Sequence, residues 1–91
     1  RNPMLHALRA SARQAVGDAE GAMADYDRAI ELEPRFADAY ANRGVFRASR
    51  GDLAGATADF ETALRVAPPN WPYRRRFEGL LEKARRESGG R

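Results

Sequence analysis

Two segments of this chain repeat each other at a spacing of 34 residues. The sequence GDAEGAMADYDRAIELEP runs from Gly17 to Pro34, and GDLAGATADFETALRVAP runs from Gly51 to Pro68. Alignment of residues 3–36 with residues 37–70 gives 11 identities, which include the Gly-Asp pair and the final proline of each segment. A period between about 20 and 50 residues is typical of proteins built from stacked structural repeats.

The apolar residues in the second half of each copy have helical spacing. They lie four, three and one positions apart, which places them on one face of a helix. They are Ala22, Tyr26, Ala29 and Ile30 in the first copy and Ala56, Phe60, Ala63 and Leu64 in the second. Another helical stretch precedes each, at about residues 3–16 and 37–50. The Gly-Asp pairs separate the helices, because glycine accepts the positive φ of a helix end and aspartate caps the next helix. Each copy is therefore predicted to form a helix-turn-helix hairpin that ends at Pro34 or Pro68.

Residues 71–91 follow a different pattern. Their apolar residues form one stripe at helical spacing, and charged residues occupy the other faces. The stripe consists of Tyr73, Phe77, Leu80, Leu81 and Ala84. We expect one amphipathic helix over residues 71–87, which closes the exposed end of the stack, and a flexible tail over residues 88–91.

The composition favours one small folded domain over residues 1–91. Hydrophobic residues make up 43 % of the chain, and no cysteine is present for a disulfide or a thiolate metal site. No apolar run approaches the roughly 18 to 20 residues that cross a bilayer, and the N-terminus lacks the apolar stretch of a signal sequence. We therefore expect a soluble protein without a membrane partner. The first residue is not methionine, which suggests a processed chain or a piece of a longer protein.

Residues 37–70, ADAYANRGVFRASRGDLAGATADFETALRVAPPN, resemble a tetratricopeptide repeat. The signature positions of that family hold Tyr40, Gly44, Ala56, Phe60, Ala63 and Pro68 in the second copy and Ala10, Ala22, Tyr26, Ala29 and Pro34 in the first. His6 replaces the first aromatic residue of the first copy, and Ala10 replaces its glycine. The resemblance implies an all-α fold, a right-handed α-solenoid of antiparallel helix hairpins with about two repeats and a C-terminal capping helix.

The sequence contains no recognisable catalytic arrangement. The single histidine, His6, takes a packing position and has no partner at a spacing suited to a base or a metal ligand. The serines lack the sequence context of a nucleophile, and there is no glycine-rich phosphate loop. We therefore expect no enzymatic activity, cofactor or metal. Nucleic-acid binding is not expected, because the basic run Arg74–Arg76 is interrupted by nearby glutamates and no aromatic platform faces outward.

The first helix of each copy is rich in arginine, and the second helix is rich in acidic residues. In a hairpin folded at the Gly-Asp turn, Arg9 and Asp25 lie at the same level on facing helices, as do Arg43 and Asp59. We predict an ion pair within each hairpin, in preference to a basic surface that attracts acidic ligands. Such a pair would mainly define the register of the two helices.

The resemblance also implies a ligand groove lined by the first helix of each repeat. Helical spacing maps this groove to Leu8, Ser11, Asn42, Val45, Ser49, Arg75, Arg76 and Lys83. One branch of the family grips the C-terminal carboxylates of a peptide with five polar residues, of which only Asn42 and Arg76 have counterparts in this chain. We expect no such clamp, but a protein or peptide ligand with an acidic group near the basic last helix.

The sequence leaves the identity of the partner open. The ligand is either another protein or another part of the full-length chain. The alternative function is a structural or self-association unit, in which a second copy forms a homodimer and completes the short stack. That copy would cover the apolar face formed by Met4, Leu5, Leu8 and Ala12.

Overall fold

The computed structural model describes residues 2–88, which form five α-helices joined by short turns. The helices are α1 (Pro3–Ala15), α2 (Ala19–Leu32), α3 (Ala37–Ser49), α4 (Leu53–Val66) and α5 (Arg74–Ser88). α1 packs on α2 and α3 packs on α4 as antiparallel hairpins, while α5 packs on α4. The predicted all-α stack of two hairpins and a capping helix is confirmed. None of the five helices is long and apolar enough to cross a membrane.

The turn inside each hairpin is formed by the repeated Gly-Asp pair. Gly17 and Gly51 have φ angles of 87° and 85°, a conformation that costs glycine little because it has no Cβ atom. Asp18 and Asp52 then cap α2 and α4, and each side chain accepts a hydrogen bond of 2.9 Å from the backbone N–H three residues later. The two hairpins therefore turn by the same local chemistry.

The start of α5 differs from the prediction. α5 begins at Arg74 rather than at residue 71, because Pro72 disfavours a helical conformation in the residue before it. Trp71 instead turns inward and is buried, while Tyr73 precedes the helix and is half-exposed, so Tyr73 is not part of the buried stripe of α5. At the other end Ser88 is helical, and residues 89–91 of the predicted tail lie outside the described residues.

Small side chains lie where the two helices of each hairpin cross. Ala10, Ala22 and Ala56 are completely buried, and Gly44 is also buried. A Cβ atom at Gly44 would lie 2.6 Å from the Cε1 atom of Phe60, so the helices approach closely only because this position lacks a side chain. Beside these crossings the structure buries Tyr26 and Phe60 almost completely, together with Ala29 and Ala63. Tyr40 is half-buried, and Pro34 and Pro68 lie exposed just after α2 and α4.

The ion pair predicted within each hairpin is confirmed. The Nε and Nη2 atoms of Arg9 donate to the two carboxylate oxygens of Asp25 at 2.9 and 2.8 Å, and Arg43 holds Asp59 with the same atoms and distances. The hydrogen bond from Arg9 holds the pKa of Asp25 below its ordinary value. The bond to Asp59 raises the pKa of Arg43 in turn.

A further contact of Arg43 joins the two hairpins. Its Nη1 atom donates to Asp27 of α2 at 2.8 Å, so this one guanidinium contacts carboxylates on both sides of α3. The arginines of the first helices thus serve the packing of the stack.

Candidate functional site

Three adjoining hollows lie on the side of the molecule lined by α1, α3 and α5. The first lies between α3 and residues 71–77 and has a volume of about 200 Å³. The second lies between α3, α4 and α5 and has a volume of about 310 Å³, and the third lies between α1, α2 and α3 with about 300 Å³. Asn42, Val45 and Arg76 each line two of the three hollows. We call the three hollows together the groove.

The wall of the first hollow is aromatic and is held by a long-range hydrogen bond. The indole Nε1 atom of Trp71 donates to Oδ1 of Asp38 at 2.7 Å, across 33 positions of sequence. The Trp71 ring stacks on Phe77 with centroids 5.5 Å apart and meets the edge of Tyr73 at 5.8 Å. These contacts connect the start of α3 to the start of α5, so the groove has a defined shape at this end.

The second hollow has an apolar floor and a charged rim. Its apolar lining residues are Val45, Ala48, Leu53, Phe60, Leu80 and Ala84. Arg76, Lys83 and Glu87 supply the charge, so cations outnumber carboxylates. Among residues 2–88 no carboxylate lies within 4.0 Å of the charged nitrogens of Arg76 or Lys83. The Arg76 guanidinium instead lies 5.3 Å from the centroid of the Phe77 ring. Both cations are therefore available to a ligand.

The third hollow lies at the end of the groove near α1, and both polar and apolar side chains line it. The hydroxyl of Tyr26 donates to Oε1 of Gln14 at 3.0 Å and lies 3.5 Å from Oγ of Ser11. Since Tyr26 is otherwise buried, these bonds satisfy the one polar atom of its side chain.

The structure brings most of the expected groove residues together. Ser11, Asn42, Val45, Ser49, Arg76 and Lys83 line the groove. Leu8 and Arg75 are exposed but line none of its three hollows. The groove expected from the sequence did not contain Trp71 or Tyr73, which line the first hollow; Tyr73 was instead expected in the apolar stripe of the last helix. The sequence does indicate these residues, because Trp71 and Tyr73 flank Pro72. Proline disfavours a helical conformation in the residue before it, so an aromatic residue at this position need not follow the apolar stripe of the helix.

His6 lies partly buried against the ion pair of the first hairpin. Its Nδ1 atom is 3.9 Å from Oδ1 of Asp25 and has no hydrogen-bond partner among residues 2–88. In the same part of the chain no three histidine, aspartate or glutamate side chains are grouped in a way that could hold a metal ion.

The stacked hairpins and their groove define an α-solenoid of the kind that presents a preformed surface along one side. The family model described as TPR repeat matches residues 12–49, from the end of α1 through α3. This match confirms the resemblance to the tetratricopeptide repeat family, whose repeats generally mediate protein–protein interaction and are typically non-catalytic. A search of curated proteins found no match to the chain.

Proposed function

We propose that this protein binds a peptide segment of a partner protein in the groove lined by α1, α3 and α5. The observation that carries the proposal is the position of Arg76, an exposed cation without a carboxylate partner in residues 2–88, where the first and second hollows meet. The apolar floor beside it offers burial to side chains of the ligand. The binding mechanism is complementarity to a preformed surface.

The charges of the groove favour a ligand with an acidic group near α5. Arg76 can hold a carboxylate with two hydrogen bonds, and Lys83 adds a second cation to the rim of the same hollow. Asn42 supplies a neutral amide in the first and third hollows, where the ligand backbone can be bound. The ligand is therefore an extended or helical peptide whose acidic residue lies at the α5 end and whose apolar residues contact Val45.

The experiment uses an array of short peptides that carry glutamate, glutamine or lysine at their terminal positions. Trp71 is the only tryptophan of the chain and lines the first hollow, so its fluorescence reports occupancy of the groove. We expect the glutamate peptides to bind and Arg76→Ala to raise their Kd about tenfold, equivalent to roughly 1.4 kcal/mol.

Arg75→Ala is the matched control, because it removes the same charge from the neighbouring position, which lines none of the three hollows. It should change the Kd by less than about twofold. Equal affinities of wild type and Arg76→Ala at low salt would rule out the proposed role of the α5 end of the groove.

A further inference from the structure

Within residues 2–88 no helix covers the outer face of α1, whereas α2 covers the equivalent face of α3. At the repeat spacing, Leu5 corresponds to Ala39 and Ala12 corresponds to Phe46. Ala39 and Phe46 are 0 % and 5 % exposed, whereas Leu5 is 61 % exposed and Ala12 is also exposed. We call this surface the open face of α1. It consists of Leu5, Arg9 and Ala12 of α1 together with Val16, the residue that directly follows this helix.

The cover on α3 is one stripe of α2. Tyr26 and Met23 pack in the cluster that contains Phe46, and Ile30 packs against the cluster that contains Ala39. Asp27 lies between them on the same stripe. The stripe thus has apolar residues at i, i+3 and i+7 and a carboxylate at i+4.

The carboxylate of that stripe, Asp27, accepts a hydrogen bond from Arg43. The residue of α1 that corresponds to Arg43 is Arg9, which makes fewer hydrogen bonds. Arg43 uses Nε and Nη2 within its own hairpin and donates from Nη1 to Asp27 at 2.8 Å. Arg9 uses the same two atoms within its own hairpin, but its Nη1 atom has no acceptor among residues 2–88. The Arg9 side chain is accordingly 55 % exposed, against 16 % for Arg43. The open face therefore combines apolar area with one unused guanidinium donor.

We propose that the open face of α1 binds an amphipathic helix of a partner protein that carries apolar residues at i, i+3 and i+7 and a carboxylate at i+4. The carboxylate accepts a hydrogen bond from Arg9, and the apolar side chains pack on Leu5 and Ala12. A hollow of about 260 Å³, lined by Asn2, Leu5, His6 and Arg9, gives room for one side chain of that helix. This site is separate from the groove and takes a different ligand.

Within residues 2–88, a second copy of this chain offers no helix with such a stripe uncovered. The stripe of α2 is covered by α3, and α4 is covered by α5, where Glu61 accepts a hydrogen bond from Arg85 at 2.6 Å. The outward side of α5 is predominantly charged. Two α1 helices placed face to face would bring Arg9 of each copy together, which like-charge repulsion opposes.

The experiment measures binding of a fluorescent peptide to the full chain. The peptide has the sequence of residues 18–34, and a lactam between Ala24→Glu and Arg28→Lys, on the side away from the stripe, holds it helical. Anisotropy should show saturable binding, and Leu5→Glu in the chain should weaken it about tenfold. Because Leu5 is 61 % exposed, this variant should keep the thermal midpoint of the wild type.

Two peptide variants test the charge pairing. Asp27→Asn should raise the Kd by about threefold to tenfold, whereas Asp25→Asn removes the same charge from the opposite side of the helix and should change it less than about twofold. Loss of binding with Asp25→Asn alone would mean that the peptide displaces the chain's own α2, and would overturn the proposal. Lack of saturable binding up to about 1 mM peptide would also overturn it. So would sedimentation evidence for a dimer of the chain that Leu5→Glu dissociates.

Discussion

At the scale of single residues, a buried aspartate at the same position of each hairpin connects the two helices. Asp25 and Asp59 are both 3 % exposed, and each accepts two hydrogen bonds from one arginine of the facing helix. A second arginine also lies within ion-pair distance of each, Arg13 at 3.2 Å and Arg47 at 3.1 Å. These arginines and aspartates therefore hold the two helices of each hairpin together. A buried carboxylate without such partners would strongly destabilise the fold.

The lowered pKa of Asp25 makes this contribution depend on pH. Because its pKa in the folded state lies below the ordinary value of 3.8, the ion pair stabilises the fold above that value. The stabilisation is lost as the pH falls through the lower folded pKa. We expect Asp25→Asn to lower the thermal midpoint near neutral pH by on the order of 5 °C. The difference from wild type should shrink below about pH 4 in melts followed by circular dichroism. A difference independent of pH would contradict the assignment.

Two glycines allow a paired test of the helix crossing. At Gly44 a Cβ atom would lie 2.6 Å from the Phe60 ring, so Gly44→Ala should destabilise the fold by about 1–3 kcal/mol. At Gly79 of α5 a Cβ atom meets nothing within 4 Å, so Gly79→Ala should stabilise it by about 0.5–1 kcal/mol through helix propensity. Urea unfolding of both variants measures the two changes. Equal effects of the two substitutions would argue against a close crossing at Gly44.

At the scale of elements, the junction between α4 and α5 determines where the capping helix lies. Trp71 is 7 % exposed and stacks on Phe77, and Phe77 lies 5.6 Å from the ring of Phe60 in α4. Arg74 at the start of α5 donates to the carbonyl oxygens of Leu64 and other residues near the end of α4. α5 is thus attached to the second hairpin by aromatic contacts and by hydrogen bonds to the unpaired carbonyl groups of a helix end.

The hydrogen bond between Trp71 and Asp38 offers a test of this junction. Asp38→Ala leaves a buried indole N–H without an acceptor and should cost about 1–3 kcal/mol, whereas Asp38→Asn keeps an acceptor oxygen and should cost less than about 1 kcal/mol. Urea unfolding followed by Trp71 fluorescence measures both. If the two variants are equally stable, the bond contributes little to the position of α5.

At the scale of the whole molecule, two hairpins and a helix form an elongated stack with dimensions of 41 × 31 × 18 Å. Each hairpin buries only part of its apolar surface by itself, and neighbouring elements cover the rest. The second hairpin is covered on both sides, by α2 and by α5, whereas α1 is covered on one. The stability of the molecule therefore depends on contacts between elements more than on any one helix.

Removal of α5 tests this dependence. A chain that ends at Asn70 would expose the now buried side chains of Phe60 and Ala63, which are 2 % and 0 % exposed in the intact protein. We expect it to lose cooperative thermal unfolding, because fewer than about three repeats rarely bury enough apolar surface. Differential scanning calorimetry measures the transition. A truncated chain with an unchanged midpoint would show that the two hairpins suffice.

The hairpins, their turns and the ion pairs inside them could be predicted from the sequence, because helical spacing and the position of each turn determine them. Helical periodicity places the apolar stripes of α2 and α4, and a glycine with positive φ followed by a capping aspartate ends one helix and begins the next. Folding each hairpin at its Gly-Asp turn then places Arg9 opposite Asp25 and Arg43 opposite Asp59. The resemblance to the tetratricopeptide repeat family placed the expected groove on the first helices, and helical spacing then selected positions such as Asn42.

The contacts between hairpins depend on the tertiary structure. Trp71 donates a hydrogen bond to Asp38, 33 positions earlier in the chain, and Arg43 donates one to Asp27 in the preceding hairpin. Neither pairing follows from helical spacing within one element. The same packing exposes Arg76 at the meeting of two hollows and leaves the adjacent Arg75 outside them. Sequence periodicity determines which face of a helix is apolar, but the positions of neighbouring helices determine which polar residues on the other faces come together.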